Sequence, residues 1–233
     1  MIKAKTHATY EVKPEGACYV LYSDALPLST PAGRLYALPT AALAEAVADE
    51  WRAQTDKVMP STMPLTQLAA TALDILPEKR EQIVAQLAGY GASELLCHRA
   101  ELPPALARRQ QEVWQPLLDW CAFRFDALLR VGAGIMPLEQ SADSLRALHG
   151  AVAGYDDFRL VGLSCAVDVT GSLVLGLALA EKERSPEAIF QAAELDAHFQ
   201  AEAWGPDPAV EAKHRSIRNE IENCARWFEL LGD

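Results

Sequence analysis

The pattern of apolar and polar positions changes character about a quarter of the way along the chain. In the first forty residues Tyr10/Val12 and then Cys18/Val20/Tyr22 recur at period two, the spacing of half-buried strands, and Ser23-Asp24-Ala25 supplies a turn. Leu35 to Leu38 reads as another short strand. Pro27, Pro31, Gly33 and Pro39 punctuate the segment, so these strands are expected to be short or to lie at edges. Thr40 then caps a helix whose apolar positions Leu43, Val47 and Trp51 fall at i, i+4 and i+8, with Glu45, Asp49 and Arg52 pointing elsewhere. A loop from Thr55 to Pro64, broken by Pro60 and Pro64, marks a domain boundary: residues 1–62 form a β-rich domain with one helix, and residues 63–233 a helical domain.

From Leu65 onward the period is helical. Leu65/Leu68/Ala69/Ala72/Leu76 makes one stripe, and Ile83/Leu87 a second that closes at Gly89. A long helix is expected from Pro104 to Arg130 on the stripe Trp114, Leu118, Cys121, Phe125 and Leu128, with a kink at Pro116. Leu145/Leu148/Val152 starts another helix. Gly171 to Ala180 is apolar on all sides, which places it centrally. Ser185-Pro186-Glu187 combines a cap, an N1 proline and a first-turn acid. The last helix, from about Ala209, carries Val210, Ile217, Ile221, Cys224, Phe228 and Leu231. The fold class is therefore α+β: a small β-containing N-terminal domain followed by a larger all-helical C-terminal domain.

Charge and composition narrow the function. The 233 residues carry a formal charge of −11, which repels phosphate backbones and anionic membranes, so no nucleic-acid partner is expected. Leu160 to Ala180 is apolar enough to raise the question of a membrane span. Asp168 near its middle costs about 3 kcal/mol on insertion scales, and Thr170-Gly171 interrupts it, so it reads as buried core with no stable membrane insertion. Met1 to His7 shows no secretory signal. The five cysteines, Cys18, Cys97, Cys121, Cys165 and Cys224, are odd in number and never spaced Cys-x-x-Cys, which suits reduced thiols and a cytoplasmic location.

Nothing in the residues calls for catalysis. Gly89-Tyr90-Gly91-Ala92-Ser93-Glu94 and Gly132-Ala133-Gly134 lack the third glycine of a phosphate loop, and no Gly-Lys-Ser/Thr occurs; both read as ordinary turns. The histidines His7, His98, His149, His198 and His214 include no i, i+4 pair, so no metal is expected. Gly162-Leu163-Ser164-Cys165-Ala166 stops one residue short of a serine-hydrolase elbow and lies inside the apolar run.

One segment stands apart. From Ser185 to Ala212 there are six acids and no lysine or arginine. If it is one helix, Glu187, Gln191, Glu194, His198 and Glu202 share a face, and Ala188, Ala192, Leu195, Phe199 and Ala203 share another. Asp196 belongs to neither and borders apolar surface. Such a face is either merely solvated or an acidic docking strip for a donor-rich protein surface. Asp196 itself either meets a partner or pairs within the chain, with Arg215 or Arg218 as candidates.

The blocks Leu28-Ser29-Thr30-Pro31, Ala37-Leu38-Pro39-Thr40, Glu50-Trp51, Met63-Pro64-Leu65-Thr66-Gln67-Leu68-Ala69 and Ala72-Leu73-Asp74 closely resemble the assembly chaperones of the F-type ATP synthase α subunit, the ATP-twelve family, in an α-proteobacterial version. The resemblance continues through Leu95 to Ala100, Trp114 to Trp120, Gly134-Ile135-Met136-Pro137, Thr170 to Ala178 and Trp204-Gly205. It implies no catalytic activity, no cofactor, and a protein that is monomeric when free and holds the unassembled α subunit until the β subunit replaces it. Trp51, Pro64, Leu65, Asp74, Trp114, Gly171, Trp204 and Gly205 are its structural motif residues. The family carries an acid after the leucine before Trp-Gly, which Leu195-Asp196 matches, so partner contact is assigned to Asp196, Glu202, Glu194 and His198. Two departures stand out. Ser23-Asp24-Ala25-Leu26 replaces the family's Asp-Gly-Arg, and Ala197-His198 follows Asp196 where further acids are usual, so the acidic contact either rests more heavily on Asp196 and Glu202 or is weaker. The competing readings are a small-molecule enzyme of another type, which would show a pocket with converging titratable groups, and a scaffold that binds a different protein.

Overall fold

In the computed structural model, which describes residues 9–55, 57–134, 138–205 and 207–232, strands β1 (Tyr10–Glu15) and β2 (Cys18–Ser23) pair antiparallel, with Tyr10 opposite Ser23 and Glu15 opposite Cys18. Strand β2 is the centre of a small sheet. It also pairs with β3 (Leu26–Pro27) and β4 (Ala37–Leu38). Asp24 and Ala25 both take positive φ, 49° and 65°, in the two-residue turn from β2 to β3, the backbone whose twist matches that of the flanking strands. The Asp24 carboxylate anchors the turn by accepting from Thr9 N at 3.0 Å. Pro27 ends β3 after two residues, as proline in a ladder requires.

Ten helices follow among the described residues: α1 (Ala41–Arg52), α2 (Pro64–Asp74), α3 (Leu76–Gly89), α4 (Pro104–Phe125), α5 (Ala142–Ala153), α6 (Asp157–Thr170), α7 (Leu173–Ala180), α8 (Pro186–Ala193), α9 (Leu195–Trp204) and α10 (Pro208–Leu231). The helical part also holds one short parallel pair, β5 (His98–Arg99) with β6 (Gly132–Ala133). The class is α+β, as expected. The chain divides into two compact units: the described residues of Met1–Arg80 with Asp157–Gly162 and Arg226–Asp233, and those of Glu81–Asp156 with Leu163–Ala225.

The first unit thus continues past the expected boundary at residue 62. Thr40 caps α1, accepting from Leu43 N at 3.1 Å, and its hydroxyl also donates to Leu230 O at 2.6 Å, which ties the last turn of α10 to this unit. Leu43, Val47 and Trp51 are buried on α1 as their spacing predicts. Trp51 is 6 % exposed and sits against Tyr10 and Tyr36, with ring centroids at 5.8 and 6.5 Å. Helix α2 begins at Met63-Pro64 with no capping side chain of its own. Glu50 of α1 fills that role: its carboxylate accepts from Leu65 N at 2.9 Å, and from Thr66 N and Thr66 Oγ1, both at 2.7 Å. At the far end of α2, Asp74 accepts from Thr30 Oγ1 at 2.6 Å and Ala32 N at 3.1 Å, pinning the loop before β4. Of the motif residues, Trp51, Leu65 and Asp74 thus pack or hydrogen-bond within this unit, and Pro64 opens α2. Within the same unit, a Cβ at Gly162 would meet Trp227 at 2.6 Å and Phe228 at 2.9 Å, so the residue's smallness lets α6 approach the end of α10.

In the second unit all eight residues of α7 are buried, the central placement its composition predicts. The apolar run from Leu160 to Ala180 is two helices. Thr170-Gly171 divides them, with Gly171 at φ 68° and its N–H on Val167 O at 2.8 Å, the positive-φ ending that favours glycine. Among the described residues no helix is long and apolar enough to cross a membrane. At the start of α7, Ser172 Oγ accepts from Leu175 N at 3.0 Å, while the fully buried Glu94 accepts from Leu173 N at 3.0 Å, Val174 N at 3.2 Å, Leu96 N at 3.3 Å and the Ser172 hydroxyl. Every amide that the first turn leaves without a helical partner is thereby satisfied. Burial pushes the Glu94 carboxyl above its ordinary range, and these donors oppose the shift.

Helix α4 departs from expectation at its end. It stops at Phe125, because Asp126 turns left-handed at φ 57°. The chain then runs on with Ala127 and Leu129 inward, and Leu128, expected on the buried stripe, is 75 % exposed.

Candidate partner-binding site

The acid-rich segment is not one helix. Glu194, at φ −102° and ψ 20°, ends α8 and precedes α9. The single face expected to run from Glu187 to Glu202 is broken there, and the candidate residues separate into three settings.

Asp196 lies in the first turn of α9 and is half-buried. Its Oδ1 accepts from Gln110 Nε2 at 2.8 Å. The internal partner is thus a neutral amide of α4. Arg218, one of the two arginines expected to compete for Asp196, lies instead 3.4 Å from Glu187 and over the Phe190 ring at 4.5 Å. Gln110 is a buried polar residue on the inward face of α4 between Leu106 and Trp114, and it is fully engaged: Oε1 accepts from Ala100 N at 2.8 Å, and its backbone carbonyl accepts from Arg99 Nη1. Arg99 is 9 % exposed and lies over the Trp114 ring at 5.1 Å. Its Nε and Nη2 find no hydrogen-bond partner among the described residues, and burial lowers its pKa. Trp114, 1 % exposed, donates from Nε1 to Ala192 O at 2.8 Å, which fixes the end of α8 on α4. The floor below Asp196 is therefore a buried hydrogen-bonded network, and no cation of the described residues pairs with its carboxylate.

Glu202 is exposed and held from α4 by Arg109, with N–O distances of 2.7 and 2.9 Å. This two-pronged contact keeps its carboxyl below the usual range, and the same guanidinium lies 5.3 Å from the Phe199 ring. Glu202 already has a cation, unlike Asp196.

Glu194 and His198 face α10. Glu194 Oε2 lies 3.2 Å from His214 Nε2, and the His198 and His214 rings stand edge to face at 4.8 Å, both against Phe190. Desolvation and the neighbouring His214 lower the His198 pKa. A pocket of about 410 Å³ opens here, lined by Phe190, His198, Glu211, His214, Arg215, Arg218 and Asn219. Among the described residues no three His, Cys, Asp or Glu side chains converge as a metal site. Gly205 closes α9 at φ 91°; the side chain of Trp204 lies outside the described residues.

The sequence reading placed the acids but missed Arg109, Gln110 and His214, which come from α4 and α10. Gln110 had a visible signal, a polar residue four positions from Leu106 and from Trp114 on an otherwise apolar stripe.

Solved structures of Atp12 proteins share this fold. The structure of Atp12 from Paracoccus denitrificans matches with a TM-score of 0.93 at 35 % identity over 98 % of both chains. A single-residue mutant of that protein matches with a TM-score of 0.94 at 34 % identity, again over 98 % of both. The mitochondrial protein atp12 of Schizosaccharomyces pombe is 21 % identical over 223 residues, 90 % of this chain and 77 % of that one. The family model described as ATP12 chaperone protein matches residues 4–122. The chain belongs to the ATP12 chaperone family, as the resemblance in its sequence implies.

Proposed function

We propose that this protein is an F-type ATP synthase assembly chaperone that binds the unassembled α subunit and keeps it from aggregating until the β subunit takes its place. Family membership supports the chaperone class. The observation that carries the binding site is the state of Asp196: a half-buried carboxylate whose one side-chain bond among the described residues, at 2.8 Å, is to a neutral amide. It keeps acceptor capacity for a cationic or donor-rich client surface, and a charge-assisted bond there contributes about 1.5–3 kcal/mol. Glu194, His198 and Glu202 flank it on the same segment, with Glu202 contributing less because Arg109 holds it. Binding needs no cofactor or metal, and the free chaperone is a cytoplasmic monomer. Release is competitive: β covers the same α surface through a larger interface.

Asp196→Asn tests this reading. The amide retains the shape and an oxygen for Gln110 but removes the charge. The expected result is an unchanged melting temperature with roughly tenfold or greater loss of α-subunit affinity and poorer suppression of its aggregation. Full protection by the Asn variant would move the contact away from Asp196. A lowered melting temperature, with protection restored on cooling, would make Asp196 structural.

A further inference from the structure

We propose that Cys165 and Cys224 form a reversible dithiol–disulfide modification site, closed by low-molecular-weight disulfides, that staples α6 to α10. The sequence gives no hint of it, because the two residues are 59 positions apart and belong to no Cys-x-x-Cys. In the structure their Sγ atoms are 3.0 Å apart, about 1 Å beyond a covalent S–S bond. Both are free thiols.

The two sulfurs are not equivalent, and their difference sets the order of events. Cys165 is half-buried and Cys224 is buried. Cys224 donates to Cys165, which lowers the Cys165 thiol below its ordinary range and pushes the Cys224 thiol up; Asp168 and Glu220 nearby oppose ionisation of either. Cys165 is therefore the attacking group and Cys224 the resolving one. The Cys165 thiolate attacks one sulfur of a glutathione-type disulfide, whose S–S bond breaks and releases one thiolate to be protonated by solvent. Cys224 then gives up its proton and attacks the Cys165 sulfur, expelling the second glutathione thiol. Two protein thiols are oxidised and one small disulfide is reduced to two thiols.

The other cysteines lack this arrangement. Burial pushes the thiols of both Cys97 and Cys121 up to about 12, which keeps them protonated. Cys18 is partly exposed but its Sγ donates to Glu15 O at 3.2 Å, with no second sulfur beside it among the described residues. Oxidation is thus directed to one pair out of five.

The consequence falls on α10, which carries His214 and Arg218 against α8 and α9. A bond that closes a loop of this length stabilises the fold chiefly by restricting the unfolded chain. The whole protein, equilibrated with oxidised glutathione and analysed by intact mass, peptide mapping and thermal melting, tests the proposal. The expected product is lighter by two hydrogens, contains a Cys165–Cys224 cross-linked peptide, melts roughly 5–15 °C higher, and reverts with dithiothreitol. Cys224→Ser should stop at one glutathione on Cys165, and Cys165→Ser should leave Cys224 unmodified. A parent protein that accumulates glutathione on Cys165 without closing, or that reacts at Cys18 alone, would overturn the proposal. So would a cross-linked product that melts no higher than the reduced form.

Discussion

Glu94 offers the sharpest test of how the helical unit is held together, because one side chain answers for several backbone groups. Replacing it with alanine strands the amides of Leu173 and Val174 at the start of a helix whose eight residues are all buried. Each buried N–H without a partner costs about 1–3 kcal/mol, so the pair loses about 2–6 kcal/mol, with roughly 4 as the central value. The longer bond from Leu96 N, at 3.3 Å, adds less. For a chain of this size about 1 kcal/mol moves the midpoint by about 2–4 °C, so Glu94→Ala should melt about 8–16 °C below the parent. Glu94→Gln retains the volume and removes the cost of burying a charge. Its one oxygen can serve Leu173 and Val174, or Leu96 and Ser172, but not both sets. It should therefore lose about half as much as the alanine variant. Thermal melting followed by far-ultraviolet circular dichroism, at one protein concentration and one pH, measures both. An alanine variant within about 2 °C of the parent would refute the reasoning, since it would mean that the α7 amides find other acceptors at no net cost.

Other outcomes follow from the same geometry. Trp51→Arg should lose several kcal/mol and appear in the insoluble fraction, because it buries a charge against Tyr10 and Tyr36; a soluble variant melting like the parent would contradict the packing. Arg109→Ala should shift the melting temperature by no more than about 2 °C, since exposed ion pairs contribute little, and a large drop would show a buried role. His198 holds its proton less readily folded than unfolded, so its contribution to stability is present above about pH 6.5 and is lost as pH falls through that value toward the lowered one. The gap in melting temperature between parent and His198→Gln should accordingly narrow from pH 7.5 to about 5.5, and a constant gap would refute the assignment. Calorimetry with ATP and magnesium should give no binding heat, because the glycine segments lack a phosphate-loop pattern; micromolar binding would overturn this.

What could be read from the sequence and what could not divides along one physical line. Features fixed by residues a few positions apart were legible: the Leu43/Val47/Trp51 face, the cap at Ser185-Pro186, the all-apolar α7 and the α+β class each follow from local spacing. Features made by side chains arriving from elsewhere were not. Gly89 to Glu94 read as an ordinary turn, yet it delivers the carboxylate that caps α7 from 79 positions away. Glu50 caps α2 in the same manner across 15 positions. Local rules had a clue at α2, where Met63 before Pro64 is a helix start without a capping side chain, so an acceptor had to come from outside. The acidic segment misled for a related reason. Assuming one straight helix put Glu194, His198 and Glu202 on a shared face, whereas the break at Glu194 sends His198 toward His214 and leaves Glu202 to Arg109. Asp196 escapes both arrangements. Among the described residues its one side-chain bond is to Gln110, and arginines stand beside Glu187 and Glu202 but not beside this carboxylate. An acid kept half-buried, oriented by a neutral amide and unneutralised by its own fold costs stability unless something outside the chain completes it, and that is the physical ground for seeking the client's contact there.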